Sequence, residues 1–333
     1  MISPWNFPLV LAVRKAAPAL AAGCPVLLKP ARATPLCCLA LAEAVEEAEL
    51  PAGVFQLVLG DSRQIGAELL ENPICRKISF TGSTAVGKKL IQGAAENVTK
   101  LSLELGGHAP VLVFADADFD GAVEGALAAK MRNTGQSCIA ANRLYVERGI
   151  FDRFVDAFVT RVRALRVGNG LEPGVDIGPL INADALDNAL EHIDEARRRG
   201  ARVLCGGKRI GDRGFFLEPT VLADVPEDAR CMCEETFAPV IPVAAFDSEE
   251  EAIARANATS YGLAAYAFTT SLSRTWRLAE RLEAGTIGIN DGVPSTSNCP
   301  FGGLKQSGWG RELGSEGIEA FLETKHVSLG VQM

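Results

Sequence analysis

The sequence predicts an α/β fold built on parallel sheets. Short apolar runs with strand character alternate with helix-length segments almost from Met1. Most runs end in glycine, proline or aspartate punctuation. Strands that return through a helix pair in parallel, with both sheet faces covered.

The elements follow in order. An apolar run at 25–29 ends in Lys29, and helical spacing spans 36–49 before Pro51-Ala52-Gly53 stops it. Residues 54–59 read as a strand closed by Gly60-Asp61, 63–70 as a helix and 77–80 as a strand. A helix over 84–95 and a strand over 101–105 lead to Gly106-Gly107, which marks the domain boundary. Beyond it we expect strands at 111–114, 143–147 and 240–246 and helices at 119–131, 150–165, 183–199 and 248–256. A glycine-rich stretch over 301–314 precedes a short last helix and an apolar tail at 326–331. The expected domains are therefore 1–106, 107–305 and 306–333. A doubly wound sheet wants a complete first strand, and here only the last two residues of one are present.

Composition narrows the function. The chain has 333 residues, 48% hydrophobic and 22% charged, enough for two sizeable cores. A net charge of -8 disfavours nucleic acid as a partner. The apolar stretch over 8–28 is interrupted by Arg14 and Lys15, which suits neither a secretory leader nor a membrane span. The expectation is a soluble cytoplasmic protein without a membrane partner. Nine cysteines lack any Cys-x-x-Cys pair and only three histidines are present, so neither zinc nor a disulfide framework is expected. His192 and His326 read as solvent-facing, and His108 as either site-adjacent or a satisfied polar residue.

Four segments could carry chemistry. Thr81-Gly82-Ser83-Thr84 follows a strand and opens a helix, the context of a phosphate cradle or of an ordinary glycine turn. Its spacing approaches a P-loop, but Lys89 stands where a magnesium-binding hydroxyl belongs. Asn133-Thr134-Gly135-Gln136-Ser137-Cys138 could expose a thiol beside its own backbone N–H, or bury a structural cysteine. Glu104, at an apolar strand end, suits a general base or a structural ion pair. Pro4-Trp5-Asn6-Phe7-Pro8 fixes an amide that could donate to an oxyanion, or simply forms a turn.

Together these motifs resemble the aldehyde dehydrogenase superfamily over nearly the whole chain. The resemblance rests on Pro4-Trp5-Asn6-Phe7-Pro8, Leu28-Lys29-Pro30-Ala31, Phe80-Thr81-Gly82-Ser83, Glu104-Leu105-Gly106-Gly107, Gly135-Gln136-Ser137-Cys138, Glu234-Glu235-Thr236-Phe237 and Pro300-Phe301-Gly302-Gly303. It implies a Rossmann-like cofactor domain, an α/β catalytic domain and an oligomerisation tail. It also implies a Cys138 nucleophile, Glu104 as the base for deacylation, and Asn6 with the Cys138 N–H as oxyanion donors. Trp5, Asn6, Lys29, Pro30, Ala31, Arg32, Gly82, Ser83, Leu105, Glu235 and Phe237 would contact a nicotinamide cofactor, with no metal required.

Within the superfamily the sequence is most similar to succinate-semialdehyde dehydrogenases. Arg14 and Arg132 match that subgroup's carboxylate-binding arginines, and Ser295 and Thr296 lie in the loop that gives the pocket a hydroxyl. The resemblance thus implies oxidation of a small carboxylate-bearing aldehyde, succinate semialdehyde first and glutarate semialdehyde next. Arg32 replaces a common glutamate, which favours NADP over NAD. Met131, Ala238 and His108 also depart from the pattern, and Ala140 stands where some relatives carry a second cysteine. Family members carry a long segment before the Trp-Asn motif; a misplaced start codon, a split gene or a degenerate fragment would each account for this beginning. With that segment a homodimer or homotetramer is expected. The competing readings are a non-catalytic fragment that binds a partner chain and a P-loop hydrolase.

Overall fold

A computed structural model of the chain describes residues 1–331. It divides into two compact units. One comprises Met1–Glu104, Thr296–Gly302 and the chain from Trp309 on; the other comprises Leu105–Ser295 and Gly303–Gly308.

In the first unit, α1 (Val10–Ala21), β1 (Val26–Leu28), α2 (Leu36–Glu47), β2 (Phe55–Leu57), α3 (Ser62–Glu71), β3 (Lys77–Thr81), α4 (Thr84–Ala94) and β4 (Lys100–Glu104) alternate. β1 pairs in parallel with β2, and β3 with β4 in unbroken register from Lys77↔Lys100 to Thr81↔Glu104. The incomplete first strand joins these pairs: Ile2 bridges Lys29 on one side and Phe80 on the other, both in parallel. The Ile2 N–H donates to the Ser79 carbonyl at 2.9 Å, and the Lys29 N–H donates to the Met1 carbonyl at 2.8 Å. The apolar run over 8–28 resolves into α1 and β1, and the inward stripe of α1 is Leu11, Ala12, Lys15, Ala16 and Ala19. Asp61 caps α3 by accepting from the Arg63 and Gln64 N–H groups at 2.9 and 3.0 Å.

The second unit is built on a seven-stranded sheet. Its elements are β5 (Ala109–Val113), α5 (Phe119–Met131), β6 (Ala141–Glu147), α6 (Phe151–Ala164), α7 (Ala183–Arg198) and β7 (Arg202–Cys205). A small antiparallel pair, β8 (Arg209–Ile210) and β9 (Phe216–Leu217), precedes β10 (Thr220–Ala223), α8 (Arg230–Cys233), β11 (Val240–Phe246) and α9 (Glu249–Asn257). β12 (Ala264–Phe268), α10 (Leu272–Arg281) and β13 (Thr286–Ile289) complete it. The strand order is β13-β12-β5-β6-β11-β10-β7, parallel except for the β10–β7 edge. β5 and β12 are buried at every residue, as strands covered on both faces must be. α6 packs Phe154, Val155, Phe158, Val159 and Val162 onto one face of the sheet. The last helix, α11 (Glu316–Glu319), belongs to the first unit and packs on α1.

The alternation expected up to 131 is present with boundaries shifted by at most a few residues. The structure adds β7 to β10, α8, β12, α10 and β13. Among the described residues no helix is long and apolar enough to cross a membrane.

One expectation is overturned. His192 does not face solvent: it is 1% exposed, on the inward stripe of α7 with Leu186, Ala189, Ile193 and Ala196. Desolvation is the largest cause that pushes its imidazole down to about 4, so the buried ring is neutral at pH 7. An unfolded histidine takes up its proton near pH 6.5, so the unfolded state binds more protons as pH falls from 6.5 toward 4. Stability is lost through that window, by up to about 3 kcal/mol for this residue. Urea melts from pH 7.5 to 4.5 should show that loss, and His192→Leu should flatten it; an unchanged pH slope in the variant would refute the assignment.

Candidate active site

The first unit gathers its candidate residues at the carboxyl ends of neighbouring parallel strands. That is the edge where open α/β sheets bind ligands, because the loops there leave backbone N–H groups and helix N-termini pointing outward. Trp5 and Asn6 follow the short Met1–Ser3 strand and are half-buried. The Trp5 carbonyl accepts from the Thr34 hydroxyl at 3.5 Å. Lys29 ends β1, buried with Pro30; its Nζ donates to the Pro30 carbonyl at 3.1 Å. Desolvation lowers the Lys29 ammonium, and the nearby Asp61 carboxylate partly offsets it. Ala31 is half-buried and Arg32 is exposed, close enough to Asp61 to help hold that carboxyl ionised.

Gly82 and Ser83 link β3 to α4. The Gly82 N–H donates to the Glu104 carbonyl at 3.0 Å, and a Cβ on Gly82 would lie 2.4 Å from the Phe80 ring. Ser83 caps α4, accepting from the Val86 N–H at 3.4 Å, and the first turn of α4 carries no acidic residue. A bare helix N-terminus, an exposed arginine and a buried lysine at one sheet edge are the donor set that a dinucleotide needs, so these residues fit the nicotinamide cofactor the sequence implies.

Glu104 ends β4 and is 3% exposed, with Oε2 accepting no hydrogen bond. Burial and the neighbouring Glu312 carboxylate push its carboxyl well above the ordinary carboxylate range. Lys15, Arg14 and Arg311 oppose that shift. Lys15 is buried and paired with Glu312, a contact spanning 297 positions of sequence. Arg14 Nε lies 3.8 Å from Glu312 without a hydrogen bond, and its guanidinium stacks over the Phe301 ring at 4.8 Å. A carboxyl raised in this way, buried beside an ion pair, is suited to taking a proton.

In the second unit, Cys138 sits at the end of a left-handed loop and is half-exposed. Asn133, Thr134 and Gly135 have φ of 53, 60 and 71° in succession. Left-handed backbone at a β-branched threonine costs on the order of 1–3 kcal/mol, so surrounding bonds must hold it. They do: the Thr134 hydroxyl donates to the Gly178 carbonyl at 3.2 Å, and Gln136 Oε1 accepts from the Ile181 N–H at 2.9 Å. Gln136 Nε2 donates to the Pro179 carbonyl at 3.3 Å. A Cβ on Gly135 would meet the Ala238 carbonyl oxygen at 2.3 Å, and one on Gly107 would meet the Cys138 carbonyl oxygen at 2.1 Å. Two glycines thus let the backbone close around the cysteine.

The Gly107 N–H also donates to Glu235 Oε1 at 3.1 Å. Burial is the main cause that pushes the Glu235 carboxyl up to about 7. Phe237 adopts φ of 47°, and Leu105 is buried with its N–H on the Ser307 carbonyl at 2.9 Å. Arg132 is exposed at the end of α5. Ser295 and Thr296 lie in an irregular segment after β13, half-buried and exposed respectively. The structure therefore gathers Asn6, Lys29, Gly82, Ser83 and Glu104 in one unit, and Leu105, Cys138 and Glu235 around Gly107 in the other. Arg14 belongs to the first unit and Arg132 to the second.

Sequence reasoning assigned no role to Lys15, Glu312, Lys130, Asn142 or Thr236. Lys15 and Lys130 were within reach, because each lies on the inward stripe of its helix. Among the described residues no disulfide joins any of the nine cysteines and no group of metal-ligating side chains occurs.

Residues 1–327 match the aldehyde dehydrogenase family. The chain is 52% identical over 330 residues to an NADP-dependent succinate-semialdehyde dehydrogenase of Escherichia coli, covering 99% of this chain and 68% of that protein. It is 52% identical over 329 residues to a glutarate-semialdehyde dehydrogenase of Pseudomonas aeruginosa, again covering 99% of this chain and 68% of the relative. The crystal structure of an NADP-dependent enzyme of E. coli superposes with a TM-score of 0.98 at 52% identity, over 99% of this chain and 69% of that one. The chain thus spans about two thirds of the length of these relatives.

Gly107→Ala should push Cys138 out of place. We expect a loss of about 1–3 kcal/mol in stability from overpacking and a slower alkylation of Cys138 by iodoacetamide, read by peptide mass. Wild-type alkylation and an unchanged melting temperature together would contradict the contact.

Proposed function

This chain belongs to the aldehyde dehydrogenase family, as an NAD(P)-dependent oxidoreductase, and we propose that it oxidises a short carboxylate-bearing aldehyde, succinate semialdehyde first, with NADP preferred. The observation that carries the chemistry is the half-exposed Cys138, in no disulfide, on its clamped loop. The Cys138 thiolate adds to the aldehyde carbon, and the oxyanion is stabilised by the Asn6 amide and the Cys138 N–H. A nicotinamide held by Glu235 and Phe237 would supply the hydride acceptor, and once the thiohemiacetal carbon has lost its hydride Cys138 carries an acyl thioester. Glu104 then takes a proton from water as the water attacks the thioester, and the acid leaves. The raised Glu104 carboxyl keeps its proton at low pH, so deacylation should rise with pH.

The substrate class rests on Arg14 and Arg132. The Arg14 side chain is largely covered and its Nε makes no hydrogen bond. A guanidinium in that state is available to a carboxylate, and each charge-assisted contact contributes on the order of 1.5–3 kcal/mol. The names of the two relatives, for succinate and glutarate semialdehydes, support an anionic substrate. The cofactor reading rests on Arg32, an exposed cation near the end of β1 that suits a 2′-phosphate.

Reduced-cofactor absorbance tests this directly. Succinate semialdehyde should be turned over with kcat/KM at least about a hundredfold above butanal, and Arg132→Met should erase most of that preference. Cys138→Ala should abolish turnover. Equal use of butanal would sink the substrate reading, and activity surviving Cys138→Ala would sink the mechanism.

Cofactor choice is separable. Arg32→Glu should raise the KM for NADP about tenfold or more while leaving that for NAD little changed. Parallel changes for both cofactors would show that Arg32 does not meet the phosphate.

A further inference from the structure

Beneath Glu235 lies a lysine that the proposed mechanism does not use. Lys130 is on the last turn of α5 and is fully buried, at 0% exposure. Its Nζ donates to Asn142 Oδ1 at 2.8 Å and to Thr236 Oγ1 at 3.1 Å. The Thr236 hydroxyl donates in turn to Asn142 Oδ1 at 2.7 Å. Asn142 Nδ2 donates to the Gly107 carbonyl at 3.4 Å, and the Gly107 N–H donates to Glu235 Oε1 at 3.1 Å. The network is closed: Lys130 fixes Thr236 and Asn142, Asn142 fixes Gly107, and Gly107 fixes the Glu235 carboxylate one residue from Thr236. A buried ammonium placed here needs a counter-charge, and Glu235 is the acid that attracts it most strongly.

We propose that Lys130 is a positioning residue for cofactor binding: it orients the Glu235-Thr236 segment through Thr236 and Asn142, and keeps the Glu235 carboxylate ionised so that it can accept hydrogen bonds from a ribose. This rests on the reading that Glu235 meets the nicotinamide ribose. It makes cofactor affinity depend on pH close to neutrality. Lys130 is pushed down to about 7, chiefly by desolvation, and Glu235 is pushed up to about 7 by the same cause. The two titrate as one unit around that pH. The other groups around them keep a constant charge there. His108 and His192 are held neutral, at about 3 and about 4, and Cys231 is pushed up to about 12. Tyr261 is raised above its ordinary value, Glu234 is kept ionised by Arg230, and Arg143 remains a cation. Among these neighbouring groups, only Lys130 and Glu235 change charge between pH 6 and 8.5. As pH falls through about 7, Glu235 takes a proton and stops accepting from the ribose.

The test is equilibrium binding of NADP, without aldehyde, followed by quenching of intrinsic tryptophan fluorescence from pH 6 to 8.5. Wild type should bind more weakly as pH falls, with a midpoint near 7. Lys130→Met removes the counter-charge at similar volume, so the midpoint should rise by about one unit. The Kd at pH 7 should then be about fivefold weaker, and the two proteins should converge toward pH 8.5. In turnover the loss should appear in the KM for NADP more than in kcat, which lost packing alone would not select. Lys130→Arg keeps the charge and should restore the lower midpoint. Where Lys130→Met does not fold, Thr236→Val removes one of its two acceptors and should move the midpoint in the same direction by less. An unmoved midpoint in a folded Lys130→Met protein overturns the inference. Glu235→Gln separates it from the underlying reading. If that variant binds NADP like wild type, Glu235 does not meet the cofactor and the reading itself fails. If Glu235→Gln loses affinity and pH dependence while Lys130→Met changes neither, only the role of Lys130 fails.

Discussion

The hydrogen bonds that Met1–Ser3 makes on both sides hold the first unit's sheet together. Without them β1–β2 and β3–β4 would be two separate parallel pairs. Ile2 pairs toward β3 through Ser79 and Thr81, and Met1 and Ser3 pair toward β1 through Lys29. Parallel strands place their carboxyl ends at one edge, so this short strand also sets where Asn6, Lys29, Gly82 and Glu104 stand. Buried backbone groups must be paired, which is why so few residues can fix the arrangement.

Each unit holds an acid close to covered cations. Glu104 lies among Glu312, Lys15 and Arg14, and Glu235 lies above Lys130. Burial alone would keep each acid protonated; a buried cation alone would hold it ionised. With both present, the Glu235 carboxyl stands at about 7 and the Glu104 carboxyl well above the ordinary carboxylate range. The cost of burying these groups is partly offset by hydrogen bonds from the cations: Lys15 on Glu312, Lys130 on Asn142 and Thr236.

The loop before Cys138 is held by a different constraint. Its left-handed residues are unfavourable, and the bonds from Thr134 and Gln136 to the 178–181 segment hold them in place. Gly107 and Gly135 carry no Cβ because backbone carbonyls occupy that space. A site fixed by backbone packing keeps its geometry when its side chains titrate.

Much was legible in the sequence. Periodicity and turn residues located α5 over Phe119–Met131 and β11 over Val240–Phe246, because apolar spacing reports which face meets a core. Strand-turn-helix punctuation located Gly82-Ser83, and glycines beside Cys138 and Glu104 marked the places where backbone must come close. What only the tertiary structure decided is the burial of polar groups. His192 looked like one more polar residue in a charged helix until the turn of α7 carried it into the core. Glu312 reached Lys15 from almost the far end of the chain, and Lys130 found Thr236 across 106 positions. Sequence spacing fixes which residues share a face of one element. Whether a charge is solvated or paired depends on what packs against that face, and that partner comes from elsewhere in the chain.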